Sequence, residues 1–305
     1  MRAVSLLPSA TEILFALGVD PVGVSHECDH PPAARDLPAV NRSRVDPDAS
    51  SADIDAQVQA AVADGEGVYT VDRDRLAALD PDLVVSQGIC DVCAVDAVLV
   101  REAVDDLGLD AEVLTTDPHR LADVLADVER IGAALDRGKR AAELRADLRS
   151  RLDAVAERTA DVDRPRVAIL DWLDPVMVAG HWIPDVVDVA GGEYGLADPG
   201  ARSRPREWAE IRRYDPEILV LAPCGFGVEQ TMADLDAVTD LPGFRDLAAV
   251  AEGAVYAMDG HHLVNRPGPR LVETTECLAG LLHPDRVETP MPDAVRQVPV
   301  QDLAR

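Results

Sequence analysis

One stretch, residues 117 to about 158, constrains this chain more than any other. Asp117-Pro118 reads as a helix start, because Asp accepts from first-turn amides and Pro fits the first helical position. Leu121, Val124, Leu125, Val128, Ile131 and Leu135 follow at the three-and-four spacing of one helix face. Past Gly138 the stripe resumes at Leu144, Leu148, Leu152 and Val155, and no proline interrupts it. Roughly 40 residues of helix reach about 60 Å, long enough to tie two separate domains together. The alternative is two helices broken at Gly132 or Gly138, since Gly costs roughly 1 kcal/mol against Ala inside a helix.

On either side of that stretch one plan runs twice. Residues 2–7 and 166–170 are short apolar strands. Residues 74–79 and 207–213 read as helices, each running into an Asp-Pro-acid turn: Asp80-Pro81-Asp82 and Asp215-Pro216-Glu217. An apolar strand follows each turn (83–86 and 218–221), then a loop with Gly and Cys: Gly88 and Cys90, Cys224 and Gly225. Further strands are expected at 22–25, 113–114 and 255–257, a polar surface loop over 33–52, and a last long helix over 270–282. Strands alternating with helices imply parallel sheets. The expected class is therefore α/β: two three-layer α/β/α lobes, residues 1–116 and 161–305, joined by one long helix over 117–160.

A length of 305 residues suits two domains, and 47% hydrophobic content suffices for their cores. The formal net charge of −27 comes from 56 acidic residues against 29 basic ones, and Lys139 is the single lysine. Such a surface repels phosphate backbones and anionic lipid, which argues against nucleic acid as a partner. It also fits adaptation to high salt, where screening removes self-repulsion. Pro8, Ser9 and Glu12 interrupt the first apolar residues before an export signal can build up, and no run of about 18 apolar residues occurs to span a membrane. On the sequence as it stands the expected location is the cytoplasm, with Cys28, Cys90, Cys93, Cys224 and Cys277 reduced. An export route lying outside this chain would make it extracytoplasmic.

In open α/β sheets ligands bind beyond the carboxyl ends of the strands, and the unusual residues collect in those loops. The first half offers Pro8-Ser9, the 26–30 loop and the 90–93 loop. The second offers Asp171-Trp172, His181-Trp182, Cys224-Gly225-Phe226, and His261-His262 with Asn265 and Arg266. Trp, Phe, His and Arg together suit a large flat ligand with amide or carboxylate edges, although Trp172 and Trp182 also read as ordinary core residues. A metal site is a second reading. His26, Cys28, Cys90 and Cys93 supply enough donors for zinc or an iron–sulfur cluster, but the second Cys pair of a strong signature is missing. Cys28 between His26 and His30 raises a nucleophile as a third reading, yet no orienting partner, Gly-x-Ser-x-Gly elbow or phosphate-binding loop accompanies it. No enzyme activity is expected.

Several runs resemble a known family. Ser5-Leu-Leu-Pro-Ser-Ala-Thr-Glu-Ile-Leu-Phe-Ala-Leu-Gly, Pro21-Val-Gly-Val-Ser-His and Asp29-His-Pro-Pro are similar to the start of vitamin B12 periplasmic-binding proteins, in the helix-linked class of ABC-transporter substrate-binding proteins. The likeness continues through Leu76-Ala-Ala-Leu-Asp-Pro-Asp-Leu-Val-Val, Val189-Ala-Gly-Gly-Glu and Arg266-Pro-Gly-Pro-Arg, covering nearly the whole chain. It implies a corrinoid (cobalamin or a relative) as ligand in a cleft between two lobes, no required cofactor, and an ABC permease as partner. Haem and ferric siderophores are the nearest competing ligands. On this resemblance Tyr69, Trp172 and Phe226 pack on the ring or its rim, and Ser9 and Arg266 meet amide side chains. Cys90 joins the ligand-binding loops, and His26 or His262 approaches the cobalt. Asp74 and Glu207 lie nearest the acidic residues that dock on permease arginines.

Overall fold

The computed structural model describes residues 1–64, 67–89 and 97–299. The chain divides into two compact units, one of Met1–Asp46, Ala56–Pro118 and Ala122–Leu148, the other of Pro47–Asp55, His119–Leu121 and Arg149–Arg305.

The first half of the chain runs β1 (Ala3–Ser5), α1 (Pro8–Ala16), β2 (Gly23–Val24), β3 (Asn41–Ser43), α2 (Ser51–Ala63), β4 (Tyr69–Val71), α3 (Arg73–Leu79), β5 (Leu83–Gln87), α4 (Ala97–Asp106) and β6 (Glu112–Thr116). Strands β2-β1-β5-β6 form one sheet in that order, and every pair in it is parallel. Val4 and Val84 pack with Leu76 of α3 and Val100 and Val104 of α4. Burial on both faces explains why β1 and β5 read as continuous apolar runs. The 33–52 stretch is more ordered than a surface loop: β3 pairs antiparallel with β4 as a two-stranded ribbon.

The linking segment is two helices rather than one: α5 (Leu121–Ala134) and α6 (Gly138–Arg158). Asp136 adopts a left-handed conformation (φ 55°), and the Arg137 N–H closes back on the Gly132 carbonyl at 2.7 Å. That six-to-one bond around a left-handed residue is a Schellman stop, which ends α5 at the place where the stripe pauses. Packing supplies the reason. A Cβ on Gly132 would lie 2.3 Å from the Ala141 Cβ, so the two helices press together where one side chain is missing. The stripe itself is buried as its spacing predicts, from Val124, Val128 and Ile131 on α5 to Leu148, Leu152 and Val155 on α6.

Asp127 on α5 is 3% exposed, and one of its carboxylate oxygens accepts from Arg130 at 2.6 Å. Burial, reinforced by Asp123 and Asp117, pushes its carboxyl up to about 6 despite the Arg130 guanidinium. A carboxyl raised in the folded state contributes stability below its unfolded value and loses it as pH climbs through about 6. Asp127→Asn removes that loss. Urea titrations of parent and variant should therefore diverge between pH 4 and pH 8 by about 2 kcal/mol in the variant's favour. A pH-independent difference would contradict the assignment.

The second half runs β7 (Val167–Trp172), β8 (Met177–Val178), α7 (Ile183–Val189), β9 (Arg204–Pro205), α8 (Trp208–Tyr214), β10 (Ile218–Leu221), α9 (Val228–Ala233), α10 (Asp236–Thr239), α11 (Ala248–Ala251), β11 (Val255–Met258), α12 (Leu271–Leu282) and β12 (Val295–Gln297). The sheet order is β12-β11-β10-β7-β8-β9; the three central strands are parallel and the rest antiparallel. Leu170, Leu219, Leu221, Ile211 and Phe244 anchor its core.

The repeat seen in the sequence extends to individual hydrogen bonds. Helix α3 ends on Asp80 and α8 on Asp215, both left-handed. The Arg2 guanidinium donates to the Leu79 carbonyl at 2.9 and 2.7 Å and to the Asp80 carbonyl at 3.2 Å. Its backbone N–H meets Asp82 at 2.6 Å. Arg166 does the same to the carbonyls of Tyr214 (3.3 Å) and Asp215 (3.0 and 2.8 Å), with its N–H on Glu217 at 3.0 Å. Each arginine satisfies carbonyls that a helix end leaves open and places a cation at the negative end of the helix dipole. The expected α/β class is the observed one.

Candidate functional site

In the first unit the loop after β2 carries His26 and Cys28. Asn41 on β3 accepts from the His26 backbone N–H at 2.9 Å and faces its Nδ1 at 3.1 Å, while Nε2 lies 3.2 Å from a Glu27 oxygen. Burial pulls the imidazole pKa down, but the hydrogen bonds to Glu27 and Asn41 outweigh it and hold the group above its usual value. Oxygen acceptors at both ring nitrogens favour the cation, which cannot ligate a metal. The half-buried Tyr69 ring lies 5.8 Å from the imidazole, so two of the expected site residues come together here.

Only part of the metal set, His26 and Cys28, lies within the described residues. Cys28 is buried and bonds Thr11 Oγ1 at 3.0 Å. Among the described residues, His26, Cys28 and His30 do not bring ligand atoms within 4.8 Å of one another. Cys90 and Cys93 lie outside the described residues. Ser9 sits buried in the first turn of α1.

The second unit is more elaborate. After β11 the chain makes a single π-helical turn, Gly260–Val264, a distortion often found at functional sites. The Asp259 carboxylate caps it, accepting from the His262 backbone N–H and facing His262 Nδ1, both at 2.7 Å. Burial pushes the Asp259 carboxyl up, yet the His262 bonds more than offset this and hold it below the usual carboxylate range. A carboxylate on Nδ1 fixes the tautomer that leaves Nε2 as the basic nitrogen. Arg266, buried, reaches His261 Nε2 at 2.8 Å, and the His261 and His262 rings meet edge-on at 4.5 Å.

This turn is stitched to the end of β10. The Phe226 carbonyl accepts from the N–H groups of Gly260 and His261, each at 3.0 Å, and Asn265 Nδ2 donates to the Ala222 carbonyl at 2.9 Å. Phe226 is 1% exposed and meets the half-buried Trp172 edge-on at 5.5 Å, so it buttresses that ring from beneath instead of presenting its own face. Trp182 is 6% exposed, with Nε1 on the Val264 carbonyl at 3.0 Å; it is a core residue that supports the same turn. Asp74 and Glu207 are exposed at the starts of α3 and α8.

Sequence reasoning did not find Asn41 or Asp259, the two residues that orient the imidazoles. Asp259 has a weak signal, an acid three residues before a histidine in a Gly-containing turn; Asn41 has none. What the arrangement can do is bind: it offers an aromatic face, an oriented imidazole and a buried guanidinium.

A family model described as periplasmic binding protein matches residues 4–261. The chain is 26% identical over 293 residues to an uncharacterized ABC transporter substrate-binding lipoprotein of Bacillus subtilis, covering 93% of this chain and 80% of that one. It is 25% identical over 291 residues to a cobalamin-binding protein of Halobacterium salinarum, covering 92% and 69% respectively. Among solved structures, a periplasmic heme binding protein of Pseudomonas aeruginosa superposes with a TM-score of 0.72 at 21% identity over 96% of both chains. The periplasmic vitamin B12 binding protein of Vibrio cholerae gives 0.63 at 22% identity, over 92% of this chain and 96% of that one. The chain belongs to the periplasmic binding protein family, whose members bind and hand on small molecules without transforming them.

Proposed function

We propose that this protein binds a corrinoid, cobalamin or a close relative, and delivers it to an ABC-type permease. The observation that carries the reading is the Asp259–His262 pair: an imidazole oriented by a carboxylate, on a turn bonded to the Phe226 carbonyl, with the Phe226 ring packed against the half-buried Trp172. Neutral imidazole ligates transition metals well, and a corrinoid offers both cobalt and a large apolar face. Between the two candidate histidines His262 is the better ligand, because Asp259 engages its Nδ1, whereas oxygens of Asn41 and Glu27 lie against both ring nitrogens of His26. Arg266 and Trp172 contact the ligand edges and rim. The cobalamin-binding relative supports this choice, and that protein shares most of the present chain's length.

Asp74 and Glu207, exposed and carboxylate-bearing, serve the permease contact in this reading, and the working location is extracytoplasmic. Among the described residues no helix is long and apolar enough to cross a membrane.

Haem is the competing ligand, since an oriented imidazole suits iron as well as cobalt. Titration at high salt with aquocobalamin, haemin and a ferric siderophore separates them, followed by ligand absorption and Trp emission. Cobalamin should saturate at micromolar concentration or below, about −8 kcal/mol or better. His262→Ala should erase the shift in corrinoid absorption, and His26→Ala should leave it in place. Saturation by haemin alone, or by none of the three, would sink the corrinoid assignment.

A further inference from the structure

We propose that the second unit carries a separate anion site that takes a phosphate group. A hollow of about 710 Å³ opens beside β8, β9 and α8, and four arginines line it: Arg202, Arg204, Arg206 and Arg213. Only two carboxylates share the lining, Asp198 and Glu210. Glu210 is taken by Arg206 at 3.0 Å, and Arg206 also donates to the Leu196 carbonyl, so that guanidinium is part of the wall. Among the described residues, Arg202, Arg204 and Arg213 have no carboxylate within 4.0 Å.

Elsewhere in the same unit Arg120, Arg151, Arg164, Arg166 and Arg296 are each ion-paired. Three guanidinium groups on one hollow repel one another, and Asp198 is the one lining carboxylate not already bonded to Arg206, so an external anion joining them relieves the repulsion.

Their supports are fixed. Arg204 lies on β9, paired in register with Val178 of β8. Arg202 follows Ala201, whose carbonyl leaves no room for a side chain at Gly180: a Cβ there would lie 2.2 Å away. Gly180 also donates to Ser203 Oγ at 3.0 Å. Arg213 projects from α8, whose Tyr214 hydroxyl accepts from the Gly195 N–H at 3.1 Å and donates to the Glu193 carbonyl at 2.9 Å. Three forked donors, one on β9, one on α8 and one on the segment before β9, match the oxygens of a phosphate, which guanidinium binds in bidentate fashion. The hollow exceeds what one phosphate fills, so the ligand is a phosphate ester or a pyrophosphate.

The phosphate can come from a soluble ester or from a lipid headgroup, and two arms of one experiment distinguish them. The full-length protein is titrated calorimetrically with pyrophosphate at constant ionic strength in KCl, with malonate as the carboxylate control. In parallel it is sedimented with phosphatidylglycerol vesicles and with phosphatidylcholine vesicles. Pyrophosphate should bind saturably at one per chain, and Arg204→Gln with Arg213→Gln should weaken it at least tenfold without moving the ligand-free melting midpoint. Added sedimentation with phosphatidylglycerol, lost in the same variant, assigns a headgroup; pyrophosphate binding alone assigns a soluble ester. The corrinoid titration is independent of both arms. Absence of binding in both, malonate binding as tightly as pyrophosphate, or a variant that binds like the parent would each overturn the proposal.

Discussion

Gly260→Ala should lower stability by about 3 kcal/mol and abolish ligand binding. A Cβ at this position would lie 2.2 Å from the Pro223 carbonyl oxygen and 2.6 Å from that of Ala222. Both obstacles are backbone, so no rotamer change relieves the clash. The π-turn would have to lift from the end of β10. That movement breaks the bonds from Gly260 and His261 to the Phe226 carbonyl and from Asn265 to Ala222. His262 then loses the position that Asp259 gives it. Gly227→Ala is the matched control, because Gly227 has φ −77° and no atom within 4 Å of its added Cβ. Chemical denaturation and the cobalamin titration, run on both variants, read the two effects. If Gly260→Ala unfolds and binds like Gly227→Ala, close backbone contact is not what holds the turn.

Removing salt should have a comparable effect on the whole molecule. We propose that the −27 charge marks a protein built for high ionic strength. Two electrostatic terms oppose each other. Salt weakens surface ion pairs such as Arg73–Asp106 and Arg149–Asp153, but exposed pairs contribute only about 0 to 1 kcal/mol each. Salt also screens the uncompensated majority of carboxylates, and the Debye length shrinks from about 10 Å at 0.1 M to about 3 Å at 1 M. With nearly twice as many acids as bases, repulsion dominates. The melting midpoint should fall by roughly 10 °C or more between molar and millimolar KCl, equivalent to a few kcal/mol. A midpoint that does not move would refute the inference.

Much of the architecture is legible in the sequence because it rests on local patterns. The apolar runs at Ala3–Ser5 and Ile218–Leu221, and the twin Asp-Pro turns after α3 and α8, announce parallel strands and their connections. What escaped depends on distant partners. Strands β3, β8 and β9 have two or three residues each, too few to show a period, and exist because a neighbour pairs with them. The break between α5 and α6 is set by the Gly132–Ala141 approach, and the two glycines alone could not show which would act. Sequence also could not separate Trp172 from Trp182: both follow strand-end signals, and only packing tells the half-buried ring from the core one. The loops bearing the chemistry were identifiable by residue type. Their orienting acids and amides were not, because a hydrogen bond between side chains leaves no periodic mark.

The Arg2 and Arg166 clasps turn the two halves of the chain into controls for each other. The same bonds close the same turn twice, once beside an all-parallel sheet of four strands and once beside a mixed sheet of six. Arg2→Gln and Arg166→Gln therefore form a paired experiment inside one molecule. The part of the stability loss they share measures the clasp, and the part they do not share measures its surroundings. A doubled plan makes the asymmetries informative too. Among the described residues, the β3–β4 ribbon has no counterpart in the second half, and the β8–β9 extension with its arginine-lined hollow has none in the first. Those unmatched pieces mark where each half departed from a shared design, and any specialised role is to be sought in them first.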